Sequence, residues 1–194
     1  MREDLGDGGW IELVEGFVPH HEAVMQALLR ELPLRSDTIR IAGREVHMPR
    51  LTSWHGDPGA AYRYSGRTFE PEPWTPALAA LRDALQAQCN LRFNSVLANL
   101  YRDGRDSMGA HADDEPELGP SRDDIRIASI SLGARRRFVL AHRKKKLRYA
   151  HDLGQGSLLV MGGTLQRSFR HHVPKTALPV GPRLNLTFRV ILAR

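Results

Sequence analysis

Three residues far apart in the chain are of the kinds that hold a transition metal. His111 and Asp113 stand two positions apart, the spacing that puts two side chains on one face of an extended strand. His171 follows 60 residues after His111. A His-x-Asp pair alone is common in loops, and a single histidine is common in cores and on surfaces. On a β scaffold, two histidines and one carboxylate make the 2-His-1-carboxylate facial triad, which binds Fe(II) and leaves positions open for small molecules. A second chemical signal lies near the end of the chain. Arg183, Asn185, Thr187 and Arg189 alternate with Leu184, Leu186 and Phe188, so one face of a strand carries two guanidinium groups and an amide. Arginine grips carboxylates through bidentate, charge-assisted bonds, and a pair of them beside a metal suits a dicarboxylic co-substrate. Asn99 and Tyr101 share a strand face about ten residues before the metal pair.

Residues this distant converge only on a framework of paired strands, and the second half of the chain supplies one. Short β-type runs at residues 95–101, 125–132, 137–141, 147–150, 157–161, 167–172 and 184–192 are separated by Gly, Pro or charged clusters. Many short strands between turn signals indicate a sandwich or barrel. The first half reads differently. A polar stretch over residues 1–18 leads into a strand near 10–14, and residues 19–32 form a helix that opens at Pro19 and repeats Val24, Leu28 and Leu32 at helical spacing. A hairpin over 38–46 turns near Gly43. Residues 49–76, rich in Pro, Gly and aromatics, read as a long irregular binding segment. A second helix runs over 76–89, with Pro76 in its first turn and Leu78, Leu81 and Leu85 on one face. The expected organisation is one domain over 1–194, a helix-bearing layer (1–90) on a β core (91–194).

Composition narrows the class. At 194 residues with 41% hydrophobic and 26% charged residues, the chain is globular rather than disordered. No stretch approaches the ~20 consecutive apolar residues of a membrane span, and the acidic start Met1-Arg2-Glu3-Asp4 has no secretory apolar region. The single cysteine, Cys89, excludes an intrachain disulfide and a thiolate metal cage. A cytoplasmic protein with no membrane partner is expected. The net charge of +6 is unevenly spread: residues 1–121 hold 12 Lys and Arg against 19 Asp and Glu, residues 122–194 hold 16 against 3. Either a polyanionic partner uses the basic half, or the two halves complement each other within one fold.

Taken together, these motifs resemble the AlkB family of Fe(II)/2-oxoglutarate-dependent nucleic-acid dealkylases. The matching pieces are Pro49-Arg50-Leu51, Gly56-Asp57, Tyr62-Arg63-Tyr64-Ser65-Gly66, Asn99 to Gly104, His111 to Glu115, Ile127 to Gly133 and Arg183 to Arg189. They run in order over residues about 39 to 192, and the last is highly specific to the family. The Pro-Arg and Tyr-x-Tyr-Ser-Gly pieces look closest to the DNA-repair branch known from animals. The resemblance implies a mainly β fold with flanking helices (α+β): a double-stranded β-helix, or jelly-roll, core under an N-terminal helical and hairpin substrate-recognition layer.

The resemblance further implies that His111, Asp113 and His171 ligate iron, the Phe-x-His-x-Val-Pro frame favouring His171 over its neighbour His172. Asn99, Tyr101, Arg183, Asn185 and Arg189 are implied to hold 2-oxoglutarate. Tyr64 and Ser65 are implied at the damaged base, Glu115 at its exocyclic edge, and Arg50 and Arg136 on the substrate side. The implied activity consumes O2 and removes N-methyl groups from bases such as 1-methyladenine and 3-methylcytosine, releasing formaldehyde, succinate and CO2. Alkylated DNA, or RNA, is then the partner, without an obligatory protein partner and with the protein a monomer. The eight cations within residues 135–148, Arg143, Lys144, Lys145 and Lys146 among them, suit phosphates. Where a duplex-repairing relative carries an aromatic wedge this chain has Ala42, and after His171 it has Lys175-Thr176-Ala177-Leu178 in place of a basic run. Both departures favour single-stranded substrate at least as much as duplex. Other expectations compatible with the same residues are a dioxygenase of this fold acting on RNA or protein, a non-catalytic nucleic-acid-binding module, and a sugar- or ligand-binding jelly roll.

Overall fold

The structure, a computed structural model, describes residues 2–36, 38–41, 44–64, 67–119 and 125–192, with the backbone alone at 39–41, 44–46, 62–64 and 67–69. The chain opens with a hairpin of β1 (Arg2–Gly6) and β2 (Gly9–Val14), followed by α1 (His21–Glu31). Two small hairpins then flank a longer strand: β3 (Thr38–Ile41) with β4 (Arg44–His47), β5 (Leu51–Gly56), and β6 (Tyr62–Tyr64) with β7 (Arg67–Phe69). After α2 (Pro76–Cys89) come β8 (Ser95–Tyr101), β9 (Met108–His111), β10 (Ile127–Gly133), β11 (Arg136–His142), β12 (Arg148–Leu153) and β13 (Ser157–Gly163). A single helical turn, α3 (Leu165–Ser168), leads into β14 (Phe169–Val173), and β15 (Arg183–Arg189) ends the fold.

Seven strands form a larger sheet in the order β1-β2-β13-β10-β15-β8-β5, and four form a smaller one in the order β12-β11-β14-β9. All strand pairs in both are antiparallel, and the two sheets enclose a core that includes Ile127, Leu140, Leu159 and Phe169. This is the jelly-roll sandwich expected from the resemblance. A second core lies on the far side of the larger sheet, where Met25 and Leu28 of α1 and Leu78, Leu81 and Leu85 of α2 pack on Ile130, Leu184, Leu186 and Phe188.

That second core explains why β15 can carry arginines inward. Leu184, Leu186 and Phe188 are fully buried under the helices. Each contributes about 1.5–3 kcal/mol of burial, enough to hold the strand while its other face stays polar. Arg183, Asn185, Thr187 and Arg189 are therefore directed between the sheets, and all four are buried. Gly133, at the end of β10 opposite Arg183, has φ +80° and a position where any Cβ would stand 2.5 Å from the Pro182 oxygen, so only glycine turns the chain there.

The organisation differs from the expected layering. Residues 1–90 are not a separate layer on the core: β1, β2 and β5 are strands of the larger sheet. Residues 1–18 are thus a hairpin rather than a tail, and the stretch expected to be irregular contributes β5 as an edge strand beside β8. Helix α1 begins at His21, because His20 has φ 51° in the left-handed region, which leaves Pro19 outside the helix. Likewise β14 starts at Phe169, since residues 165–168 close one helical turn. The second helix occupies 76–89 as its sequence predicts, with the Thr75 hydroxyl accepting from the Leu78 N–H at 3.3 Å and Pro76 in the first turn. No helix among the described residues is long and apolar enough to cross a membrane.

Candidate metal and co-substrate site

His111 ends β9 and pairs directly with His171 on β14, so register alone brings the two imidazoles together. Their ring centroids lie 4.3 Å apart. Asp113, two residues beyond β9, reaches the same point: Oδ1 is 3.7 Å from His111 Nε2 and Oδ2 is 3.8 Å from His171 Nε2. One ligand atom from each residue lies within 4.8 Å of the others, a span that one coordinated cation can bridge. His111 Nδ1 lies 2.9 Å from the Gly109 carbonyl, a bond that takes its N–H and leaves Nε2 as the free lone pair. His172 pairs with Val139 and, though it lines the same cavity, is not in the ligand cluster.

The electrostatics suit a cation. Burial, with His111 alongside, pushes the His171 imidazole down to about 3 against the attraction of Asp113, so the ring is neutral and its lone pair is available. Burial works to raise the Asp113 carboxyl, but the charged Arg189 guanidinium bonded to it outweighs this and holds the group below the usual carboxylate range. Arg189 Nη2 donates to Asp113 Oδ1 at 2.7 Å, both side chains being almost wholly buried. The ligand carboxylate is thereby ionised and oriented by a residue of β15.

Beside the three ligands the larger sheet presents a polar platform. The register sets Arg183 opposite Tyr101 and Asn185 opposite Asn99 on β8, with Ser131 and Ser129 of β10 on the other side. Asn185 Oδ1 accepts from Ser129 Oγ at 2.9 Å, Ser131 Oγ at 3.3 Å and Arg183 Nη2 at 2.7 Å. Arg183 Nη2 also donates to Ser131 Oγ at 2.7 Å, and the guanidinium lies over the Tyr101 ring at 5.3 Å. Burial pushes this guanidinium down to about 10, so it remains charged at neutral pH. Its Nε and Nη1 have no hydrogen-bond partner although the residue is 1% exposed. A buried cation with two unspent donors is costly unless an anion completes it. The platform and the ligands line one cavity that opens to solvent, with Phe138, Met108 and Met161 as apolar wall. The residues present fit both a divalent metal and a carboxylate-bearing ligand.

Other site residues read from the sequence lie elsewhere. Arg136 does not face a substrate. It is 3% exposed, and its guanidinium donates to the carbonyls of Asp103, Asp106 and Pro174 at 2.8 Å each, stapling the loop after β8 to the segment after β14. Arg50 is also buried rather than presented to a substrate, its Nε donating to Asn99 Oδ1 at 2.7 Å from behind the platform. The basic hairpin between β11 and β12 is partly spent within the fold. Lys145 Nζ bonds both Asp7 oxygens at 2.7 Å, and Arg143 Nη2 bonds Asp114 Oδ2 at 3.1 Å. Lys144 and Lys146 are exposed at the tip. Part of the charge asymmetry is thus internal complementarity across the two halves of the chain. Glu115 is half-buried at the head of a 3₁₀ turn, Pro116–Leu118, two residues past Asp113. Tyr64 ends β6, with its side chain outside the described residues, as are Ser65 and Ala42 altogether. Ser129 and Ser131 were not singled out by sequence. Their signal was polar residues at alternate positions in an otherwise apolar strand, buried from Ile127 to Leu132.

Comparison with known proteins agrees with this arrangement. The family profile of the 2OG-Fe(II) oxygenase superfamily matches residues 12–189. The alpha-ketoglutarate-dependent dioxygenase alkB homolog 3 of Bos taurus is 40% identical over 193 residues, covering 92% of this chain and 65% of the relative. The DNA oxidative demethylase ALKBH2 of Homo sapiens is 38% identical over 162 residues, covering 79% of this chain and 61% of the relative. The chain therefore spans less than two thirds of these relatives' length. Among solved structures, that of OsALKBH1 superposes with a TM-score of 0.65 at 20% identity, covering 98% of this chain and all of the other. A 2OG-Fe(II) oxygenase family protein from Burkholderia pseudomallei gives 0.61 at 17% identity, covering 95% of this chain and 88% of the other.

Proposed function

Because this chain belongs to the 2OG-Fe(II) oxygenase superfamily, among the AlkB homologues, we propose that it oxidatively demethylates N-alkylated bases such as 1-methyladenine and 3-methylcytosine in DNA. The observation that carries the proposal is a single juxtaposition. Three ligand atoms within 4.8 Å stand in one cavity with a buried guanidinium whose Nε and Nη1 await an acceptor. A ligand-binding jelly roll has no need of both.

In this reading His111, Asp113 and His171 hold Fe(II), while Asn99, Tyr101, Arg183, Asn185 and Arg189 hold 2-oxoglutarate. When bound, these two supply with O2 the power to hydroxylate a C–H bond, the co-substrate leaving as succinate and CO2. Arg183 receives a carboxylate oxygen on Nη1 or Nε, the arms the fold leaves open on either side of the guanidinium. Asn185, its oxygen saturated by three donors, keeps that guanidinium from turning away. Arg189 maintains Asp113 as an anion, and Phe138, 5.3 Å from the His171 ring, keeps water from the ligand face. Hydroxylation of an N-methyl carbon gives a hemiaminal, which loses formaldehyde and a proton and restores the unsubstituted ring nitrogen with its lone pair.

A methyl group on the Watson–Crick edge is out of reach within a duplex, so the base must leave the stack or be unpaired already. Tyr64, at the end of β6, and Ser65 are the proposed base contacts, Tyr64 by stacking, and exposed Lys144 and Lys146 are proposed phosphate contacts. The alanine at position 42 and the absence of a basic run after His171 support turnover of single-stranded DNA at least as fast as duplex. With one cysteine and no disulfide to protect, a reducing cytoplasm suits the chain. The test is mass spectrometry of a 1-methyladenine oligonucleotide incubated with the protein, Fe(II), 2-oxoglutarate and air. Loss of one CH2 with matching formaldehyde is expected, abolished in His111→Ala. Succinate formation that leaves the oligonucleotide unchanged would overturn the substrate assignment, and faster turnover of duplex would overturn the strand preference.

A further inference from the structure

Gln166 is wholly buried on the one-turn helix α3, five residues before His171. Its Oε1 accepts the backbone N–H of Asp113 at 3.0 Å. That amide lies beyond the end of β9, in a stretch without ladder partners, while Asp113 itself is 2% exposed. The Gln166 Nε2 has only a soft contact, 3.9 Å to Met161 Sδ, which leaves the acceptor bond to set the orientation of the amide. Its backbone carbonyl accepts from Arg143 Nη2 at 3.1 Å, and the same nitrogen bonds Asp114 Oδ2 at 3.1 Å. Gln166 thus links the loop that carries Asp113 to the turn that carries His171, and Arg143 closes the same link from the outside.

We infer that Gln166 is a positioning residue for the metal centre, fixing the backbone of Asp113 so that its carboxylate stays within reach of both imidazoles. A carboxylate on an untethered loop would have to be ordered when the metal arrives, and that cost appears as lost affinity. Arg189 holds the carboxylate from one side, but it cannot fix the main chain from which the side chain springs. Position 166 meets neither metal nor substrate: the residue lies behind the ligand, outside the cavity wall.

The inference rests on His111, Asp113 and His171 being the metal site, and Mn(II) titration followed by electron paramagnetic resonance tests the two separately. In Gln166→Met, which keeps the volume and removes the acceptor, Mn(II) affinity is expected to fall about 10–100-fold. Gln166→Glu, which restores an acceptor oxygen, is expected to recover most of the loss. Wild-type affinity in Gln166→Met, or equal losses in both variants, would overturn the role of the amide. Failure of the wild-type protein to bind Mn(II) would instead overturn the metal-site reading. Should Gln166→Met not fold, hydrogen exchange in the wild-type, metal-free protein decides: an Asp113 amide protected like the strand amides of β14 supports the tether, and exchange at open-loop rates refutes it.

Discussion

Replacing Arg183 with methionine should move two properties in opposite directions. Nε and Nη1 of this guanidinium are unspent in the protein without ligand and point to different sides of it, so a bound carboxylate would gain one charge-assisted bond. At about 1.5–3 kcal/mol, its loss weakens 2-oxoglutarate binding by about 10–10²-fold. The ligand-free protein behaves otherwise. Methionine removes a buried, incompletely paired charge, an exchange that is often neutral or stabilising by about 1–4 kcal/mol. The bonds given up go to Ser131 and Asn185, which keep each other through the 3.3 Å Ser131–Asn185 bond. For a chain of this size about 2–4 °C of Tm accompanies each kcal/mol, so the metal-free Tm should stay level or rise. Calorimetric titration of the Mn(II)-loaded variant with 2-oxoglutarate, beside thermal melts of the metal-free form, reads both. A fall of more than about 5 °C in the metal-free Tm, which by the same scaling is a loss above ~1 kcal/mol, would show that the guanidinium is a structural strut. Retained co-substrate affinity would refute its role as the carboxylate anchor.

Removing either ligand side chain should abolish Mn(II) binding, but with unequal structural consequences. Asp113→Asn leaves Arg189 buried without its counter-charge and should lower stability by about 3–5 kcal/mol in denaturant melts, whereas His111→Ala, at a side chain 29% exposed, should cost under about 1.5 kcal/mol. Two bonds from the Arg102 guanidinium hold the Asp106 carboxyl below the usual carboxylate range. Its contribution to stability is therefore complete above the unfolded value near 3.8 and disappears as pH falls through the lower native value. Asp106→Asn should flatten the fall of Tm between about pH 5 and 3, and an unchanged slope would exclude the pair as its source. Lys144→Glu with Lys146→Glu should weaken single-stranded DNA binding at low salt and reduce the salt-dependence slope by about 1.4, at two phosphates and ~0.7 each. An identical slope would remove the hairpin tip from the nucleic-acid interface.

What the sequence disclosed follows from how local each signal is. The helix Pro76–Cys89 is written in adjacent residues, a threonine cap, a proline in the first turn and leucines at helical spacing, and it stands where those residues put it. The alternation of β15 likewise marked which of its residues would face inward. The strand β5 gave no such signal, because its buried Thr52, Ser53 and His55 interrupt the apolar pattern. Their polarity is met by partners that only the fold supplies: Ser53 Oγ lies 2.8 Å from His55 Nε2, and His55 Nδ1 lies 2.8 Å from the Pro73 carbonyl. In β9, Gly109 and Ala110 carry almost nothing to pattern. Charge was the least legible property. Lys145 finds Asp7, 138 residues away, and Arg136 finds three carbonyls in two loops, so a count of nearby cations overstates what is open to phosphate.

In the proposed function one cavity brings a divalent metal and a dicarboxylate side by side. Anomalous diffraction at the manganese edge, from crystals grown with Mn(II) and 2-oxoglutarate, addresses this directly. A single peak bonded to His111 Nε2, His171 Nε2 and a carboxylate oxygen of Asp113 is expected, with a carboxylate of the ligand on Arg183. Metal bound elsewhere, or a ligand density that leaves Arg183 untouched, would contradict that arrangement.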